Sequence, residues 1–281
     1  MTSYLHPYIQ ESINLSDKNK DNYTLTIQYS LDGLSFVVFD NIEQKFIDLK
    51  HYHYREKGIN LQSILTELQE KESWKLEEFK NINILIDNNF NTLIPKAFYQ
   101  EEKKESYISI LNINKNSNIF TDEIPECEAI NIFSCKENFD FLNHDIKIYH
   151  SSTVLIKKLI KDFFDRNAET RAFVNVKNNS YELIIINNDK LIFHNYFNFK
   201  TKEDFIYFIL FTFEQLNIDN ESIPLYFMGF IEEKSPIVEL CARYVRNIRF
   251  FNRDNNFNYT NELNSIPYYY YYTLYSFISC E

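Results

Sequence analysis

Apolar and polar positions alternate through YTLTIQYS (23–30) and again, less strictly, through LSFVVFD (34–40). With Asp32-Gly33 between them, the two runs predict a pair of strands joined by a tight hairpin. A third strand is predicted for KFIDLKHYHY. Asn60 then stands before Leu61, Ile64, Leu65 and Leu68, whose helical spacing marks an amphipathic helix with Asn60 as its N-cap. The apolar run NINILID after it reads as a short buried strand.

The same order returns from Arg171. AFVNV, the turn KNNS, YELIII, the turn NNDK and LIFHNYFNF give three strands, and IPLYFMGFI a fourth. The separations of Phe46 from Leu191 and of Asn83 from Leu225 are nearly equal, so the pattern is a repeat. Between the last two strands, Thr201 and Asp204 form a capping-box start for a helix through Leu216. Its apolar residues circle the axis, which predicts burial on most sides.

Each copy continues. Ile146 to Tyr149 is a short strand, and Ser151 or Ser152 is the expected cap of a helix with Ile156, Leu159, Ile160 and Phe163 on one face. In the second copy Ser235-Pro236 pairs a cap with proline at the first helical position, and VRNIRFF follows as a strand. The stretch from about 100 to 145 interrupts the first copy as an insertion. The reading is an α/β chain of two lobes, residues 1–165 and 166–281. A final helix, 267–279, carries Tyr268, Tyr271, Tyr272 and Tyr275 on one packed face, with the remaining tyrosines exposed.

Composition narrows the chemistry. The 281 residues include three glycines, against about 20 at average usage. Asn, Ile, Lys, Phe and Tyr are abundant, a bias that AT-rich coding DNA produces. Loops that wrap phosphate use glycine for close backbone approach, so Gly33, Gly58 and Gly229 would have to carry any such loops. The net charge of −11 disfavours non-specific attraction to nucleic acid or anionic membranes. Cys127, Cys135, Cys241 and Cys280 are too few and too scattered for a disulfide framework, and without a CxxC pair they argue against a structural zinc site. The N-terminal stretch has neither a basic leader nor an apolar core, and no stretch approaches membrane-spanning length; a cytoplasmic location is the expectation.

The duplicated unit of three antiparallel strands, helix, strand, helix and strand resembles the actin-like ATPase superfold, built of ribonuclease-H-like units and shared by actin, sugar kinases, heat-shock chaperones and pilus-assembly proteins. The hairpin positions, IPLYFMGFIEEKSP and the aromatic C-terminal helix look like a bacterial family of uncharacterised proteins assigned to that fold. The resemblance implies that the last helix packs back on the first lobe, and that active members hold Mg·ATP between the lobes through three loops. The first, Asp-x-Gly-Ser/Thr, matches Ser30-Leu31-Asp32-Gly33-Leu34-Ser35 only in part, and a type I′ hairpin accounts for Asp32-Gly33 as well. The second, Asp-x-Gly-Gly-Gly-Thr, falls on Asn175-Val176-Lys177-Asn178-Asn179-Ser180, with an uncharged amide where Mg²⁺ needs a carboxylate. The adenosine motif keeps only Gly229 of a glycine pair, followed by Phe230 where a purine would lie.

These departures lead to a non-catalytic protein working through protein contacts, as a scaffold or homodimer, without cofactor. One alternative is a phosphate-ligand or ATP·magnesium site built from Asp32, Gly33, Ser35, Asn175, Lys177, Ser180 and Gly229. Another is an RNA-associated protein using Arg243, Arg246, Arg249 and Arg253 with neighbouring aromatics. His51 and His53 share a strand face and offer two metal ligands without an identifiable third. The acid pairs Glu101-Glu102, Asp122-Glu123 and Glu232-Glu233 read as solvated charges. No GxSxG, HExxH, Walker or kinase signature occurs.

Overall fold

The computed structural model describes residues 5–12, 20–54, 59–111, 117–142, 146–164, 169–188 and 190–280. Gly58, the expected lobe boundary at 165/166 and parts of the 100–145 insertion lie outside the described residues.

The elements in chain order begin with strands β1 (Leu5–Ser12), β2 (Tyr23–Ser30), β3 (Gly33–Asp40) and β4 (Lys45–Tyr54), then helix α1 (Leu61–Glu72) and strand β5 (Asn81–Asp87). Next come β6 (Asn91–Pro95), the short helix α2 (Lys104–Ile108), β7 (Asn118–Ile124), β8 (Ala129–Cys135), β9 (Lys147–His150) and helix α3 (Ser151–Phe163). The second half holds β10 (Thr170–Val176), β11 (Ser180–Asn187), β12 (Lys190–Asn198), α4 (Lys202–Gln215), β13 (Pro224–Gly229), α5 (Pro236–Cys241) and β14 (Asn247–Phe250). A short β15 (Asn258–Tyr259) and the helix α6 (Tyr272–Cys280) close the chain. The chain forms two compact units, Met1–Leu155 with Asn255–Ser265 and Thr273–Glu281, and Ile156–Asp254 with Ile266–Tyr272.

In the first unit the main sheet runs β1-β4-β3-β2-β5-β9, with β15 beside β4. Strands β2, β3 and β4 pair antiparallel, while β5 and β9 join in parallel. The second unit repeats that order as β12-β11-β10-β13-β14, with the same alternation of antiparallel and parallel pairs. The sequence repeat is therefore a repeat of topology. β6, β8 and β7 form a separate three-stranded sheet inside the first half.

Local chemistry explains most boundaries. Asn60 caps α1 by accepting from Ser63 N at 2.8 Å, and Leu61, Ile64, Leu65 and Leu68 are buried, each stabilising by roughly 1.5–3 kcal/mol. Thr201 and Asp204 form the reciprocal capping box of α4, and Ser235 accepts from Val238 N ahead of Pro236. The cap expected from Ser151 or Ser152 is instead the imidazole of His150, whose Nδ1 accepts from Ser152 N at 3.2 Å.

Helix α4 also differs from its expected all-round burial. Phe205, Ile206, Ile209 and Phe213 face the core, but Tyr207 is 59% and Phe211 46% exposed. Strand β1 is not predicted by the apolar pattern, because Pro7 interrupts it. Its pairing with β4 shifts register between Pro7 and Ile9, and an outermost strand tolerates proline where an inner one does not.

The tyrosine run 268–272 begins with a tight turn of 3₁₀ helix before α6. That winding turns Tyr269 inward as well, against Phe250 at 4.8 Å between ring centroids, so the expectation that it is exposed fails. Tyr275 and Phe277 of α6 meet Phe46 and Tyr149 within the first unit.

Candidate functional site

Asn175 lies on β10 directly across from Glu182 on β11. Glu182 is fully buried, and its carboxylate is held from three sides. Asn175 Nδ2 donates to Oε2 at 3.2 Å, His194 Nε2 lies 2.8 Å from Oε1, and the Tyr196 hydroxyl donates to Oε1 at 3.3 Å. The hairpin beyond Asn175 closes through Lys177 N donating to Ser180 O at 2.8 Å. The Lys177 ammonium sits over the Tyr196 ring, 5.1 Å from its centroid, where the ring quadrupole attracts it.

Gly229 ends β13 beside Val176, its parallel partner. A Cβ there would stand 2.2 Å from Val176 O and 2.8 Å from Asn175 Oδ1. Asn175, Lys177, Ser180 and Gly229 thus share one end of the second sheet. Phe230 follows, donating its N–H to Val176 O at 2.8 Å. Its ring is half-exposed and meets Tyr270 and Tyr271 edge-on.

In the first unit the β2–β3 loop is Leu31-Asp32, and neither residue has the positive φ that a type I′ turn requires. The Ser30 hydroxyl closes the turn, donating to Gly33 O at 2.8 Å and contacting Asp32 Oδ1 at 3.0 Å. Gly33 is needed for a different reason from turn geometry: a Cβ on it would meet Tyr52 O of the adjacent strand at 2.6 Å. Ser35 is buried, its hydroxyl 2.7 Å from His51 Nδ1. Burial, reinforced by the neighbouring His53, pushes His51 down to about 4, so its ring is neutral at physiological pH. The two histidine rings touch at 4.8 Å. No cluster of three or more His, Cys, Asp or Glu able to hold a metal occurs among the described residues.

A polar network that sequence reasoning missed surrounds the first turn of α3. Asp122 Oδ2 accepts from His150 N at 2.8 Å and from Thr153 Oγ1 at 2.7 Å, and Asn131 links Thr153 to Asn91. Asp122 is buried, contrary to its reading as a solvated acid. Its carboxylate places a negative charge at the positive end of the helix. Asp87, at the end of β5, accepts from Ser151 Oγ at 2.8 Å and Gln28 Nε2 at 2.9 Å. An apolar run ending in Asp, followed later by a serine-threonine cluster, was the available sign. Asp87 lines a cleft of about 280 Å³ with Tyr29, Leu31, Ile86, Lys136 and Glu137.

A family model described as "Protein of unknown function (DUF3822)" matches residues 12–248. The chain belongs to that family. No curated protein matches this DUF3822 member in sequence. Among solved structures it is similar to a Bacteroides thetaiotaomicron protein with an actin-like ATPase fold and unknown function, at TM-score 0.73 and 20% identity over 93% of this chain and 97% of the other. It is also similar to the PilM-PilN type IV pilus biogenesis complex, at TM-score 0.50 and 11% identity over 92% and 98%. The fold of this DUF3822 chain is the actin-like ATPase fold.

The arginine run divides in two. Arg249 donates to the Tyr226 hydroxyl at 2.9 Å and lies over its ring, and Arg253 donates to Ile266 O at 2.8 Å. Arg243 and Arg246 are exposed, as is Arg249. The cysteines are free, and burial pushes the Cys127, Cys135 and Cys241 thiols up to about 11, 11 and 12. Such thiols stay protonated and unreactive at neutral pH. No helix among the described residues is long and apolar enough to cross a membrane.

Proposed function

We propose that this DUF3822 member is a non-catalytic protein of actin-like fold that works through protein contacts. The observation that carries the reading is the engagement of Asn175. At the position where nucleotide-dependent relatives would use a carboxylate for metal-bound water, this chain has an amide that donates to the buried Glu182. A neutral amide brings no charge to a hard cation.

Two neighbouring features support the same reading. Lys177 replaces a glycine of the phosphate loop and rests on Tyr196. Gly229 is retained against a backbone that leaves no room for a Cβ, so its presence has a packing cause. The pilus relative was solved as a complex, a form in keeping with a role through partners.

Purified full-length protein with Mg²⁺ and ATP is expected to release no phosphate above the protein-free blank, and calorimetry with ATP or ADP to give no binding heat. Turnover that disappears on Lys177→Ala or Asp32→Ala would overturn the proposal and place an active site at the hairpin loops.

A further inference from the structure

We propose that the cleft at the ends of β2 and β5 binds a small organic ammonium ion with an apolar body, an amine of metabolite size. The site lies wholly within the first unit, its lining drawn mainly from β2, β5, β8 and the residues that follow them. The inference goes beyond the protein-contact reading and does not rest on it.

The walls are braced by hydrogen bonds of their own. Asn88 fastens the chain after β5 to β8: its Nδ2 donates to Ser134 O at 3.0 Å, and its Oδ1 accepts from Phe90 N at 2.8 Å. Ser134 N donates to Phe90 O at 2.9 Å, closing the clasp. Glu137 Oε1 accepts from the Tyr29 hydroxyl, and Oε2 from the N–H of Leu61, the first residue of α1, both at 2.9 Å. Asp87 is tied to Ser151 and Gln28. A lining held in this way has little freedom left to lose when a ligand enters.

The volume of about 280 Å³ lies just below the ~300–1,000 Å³ of drug-sized sites, which suits a small metabolite. Ile86, Cys135 and the rings of Tyr29 and Phe90 supply apolar wall. Because the Tyr29 hydroxyl is engaged by Glu137, what this pair offers a ligand is an aromatic ring beside a carboxylate. Ring quadrupole and carboxylate both attract an ammonium group.

Charge selects the occupant. The charged residues of the lining are Asp87, Glu137 and Lys136, two carboxylates against one ammonium. Lys136 is exposed, as is Leu31, so the cleft opens on their side, while Asp87 is buried and Glu137 half-buried. A carboxylate has about four lone-pair sites, and Glu137 uses two of them on neutral donors. Capacity therefore remains for the N–H groups of a bound ammonium. An anionic ligand would have to approach both carboxylates, and an uncharged one would displace their water without replacing it.

The test uses full-length protein at low salt and three probes of nearly one shape that differ in charge: 2-phenylethylamine, 2-phenylethanol and 3-phenylpropanoate. Binding is measured by titration calorimetry at millimolar ligand. The amine is expected to bind at least tenfold more tightly than the alcohol or the acid. Glu137→Gln is expected to weaken the amine at least fivefold and to leave the alcohol unchanged within twofold. Glu137 also braces Tyr29 and α1, so two variants at exposed positions carry the test independently of folding. Lys136→Glu is expected to tighten the amine at least threefold and Leu31→Lys to weaken it by as much, with circular dichroism confirming that both are folded. Equal affinity for amine and alcohol would reduce the cleft to an apolar crevice without charge selection. Tighter binding of 3-phenylpropanoate would make Lys136 the recognition group, and amine binding that ignores both variants at the mouth would lie elsewhere. Each of these results, or no binding of the amine, would overturn the proposal. The probes carry no phosphate, so failure here leaves the ATP experiment to judge the non-catalytic reading separately.

Discussion

Gly229→Ala is expected to cost about 3 kcal/mol or more, or to prevent folding of the second unit, through two effects that act together. The residue has φ +82°, where a Cβ is strained by its own chain, and that Cβ would stand 2.2 Å from Val176 O and 2.7 Å from Val176 N. Both contacts are backbone atoms of a paired central strand, so neither can swing aside as a side-chain tip would. Gly33→Ala provides the comparison. Its Cβ would meet one backbone oxygen, Tyr52 O at 2.6 Å, without positive φ, and a smaller loss is expected. Urea unfolding of both variants checks the ranking. A wild-type midpoint for Gly229→Ala would remove the packing explanation for this glycine and return it to the role of a surviving nucleotide-loop residue.

That distinction shows what the sequence could and could not reveal. The strand order was legible because β2 to β5 and β10 to β13 each carry their own period, caps and turns, and the two copies agree. Asn60, Thr201 with Asp204, and Ser235 with Pro236 act locally, so their capping is visible in a few residues. Partners brought together only by folding were not visible. Glu182 lies seven residues from Asn175 and twelve from His194, and nothing in YELIII marks its second residue as the centre of a buried network. Asp122 reads as one of two adjacent acids, yet strand alternation sends it inward to cap α3 from 28 residues away while Glu123 pairs with Lys96 at the surface. The glycine count marked Gly33 and Gly229 as demanding positions, and at both a Cβ would stand against backbone of the adjacent strand. Gly33 is held by the approach of β4, not by turn conformation.

Asp48→Asn is expected to stabilise the protein by an amount that grows with pH. Asp48 lies on β4 on the same face as Lys50 and Tyr52, both of which bond to Glu72 of α1. It is 1% exposed, and its Oδ1 has no hydrogen-bond partner among the described residues. Burial, opposed by Lys50 and reinforced by Glu72, pushes this carboxyl up from 3.8 to about 7. The folded state therefore keeps a proton that the unfolded chain releases near its ordinary value. Stability from this group is fully present below about pH 4 and is lost as pH rises through about 7, because the unfolded state binds fewer protons across that window. The whole displacement corresponds to about 4 kcal/mol. A neutral amide of the same shape has no charge to desolvate, so the variant should gain about 2 kcal/mol over wild type at pH 5 and about 4 kcal/mol above pH 8. Urea unfolding of both proteins at pH 5, 6, 7 and 8.5 measures the slope. A gain that is the same at every pH, or that shrinks as pH rises, would mean that Asp48 is ionised in the folded protein throughout, with Lys50 and not burial governing its charge.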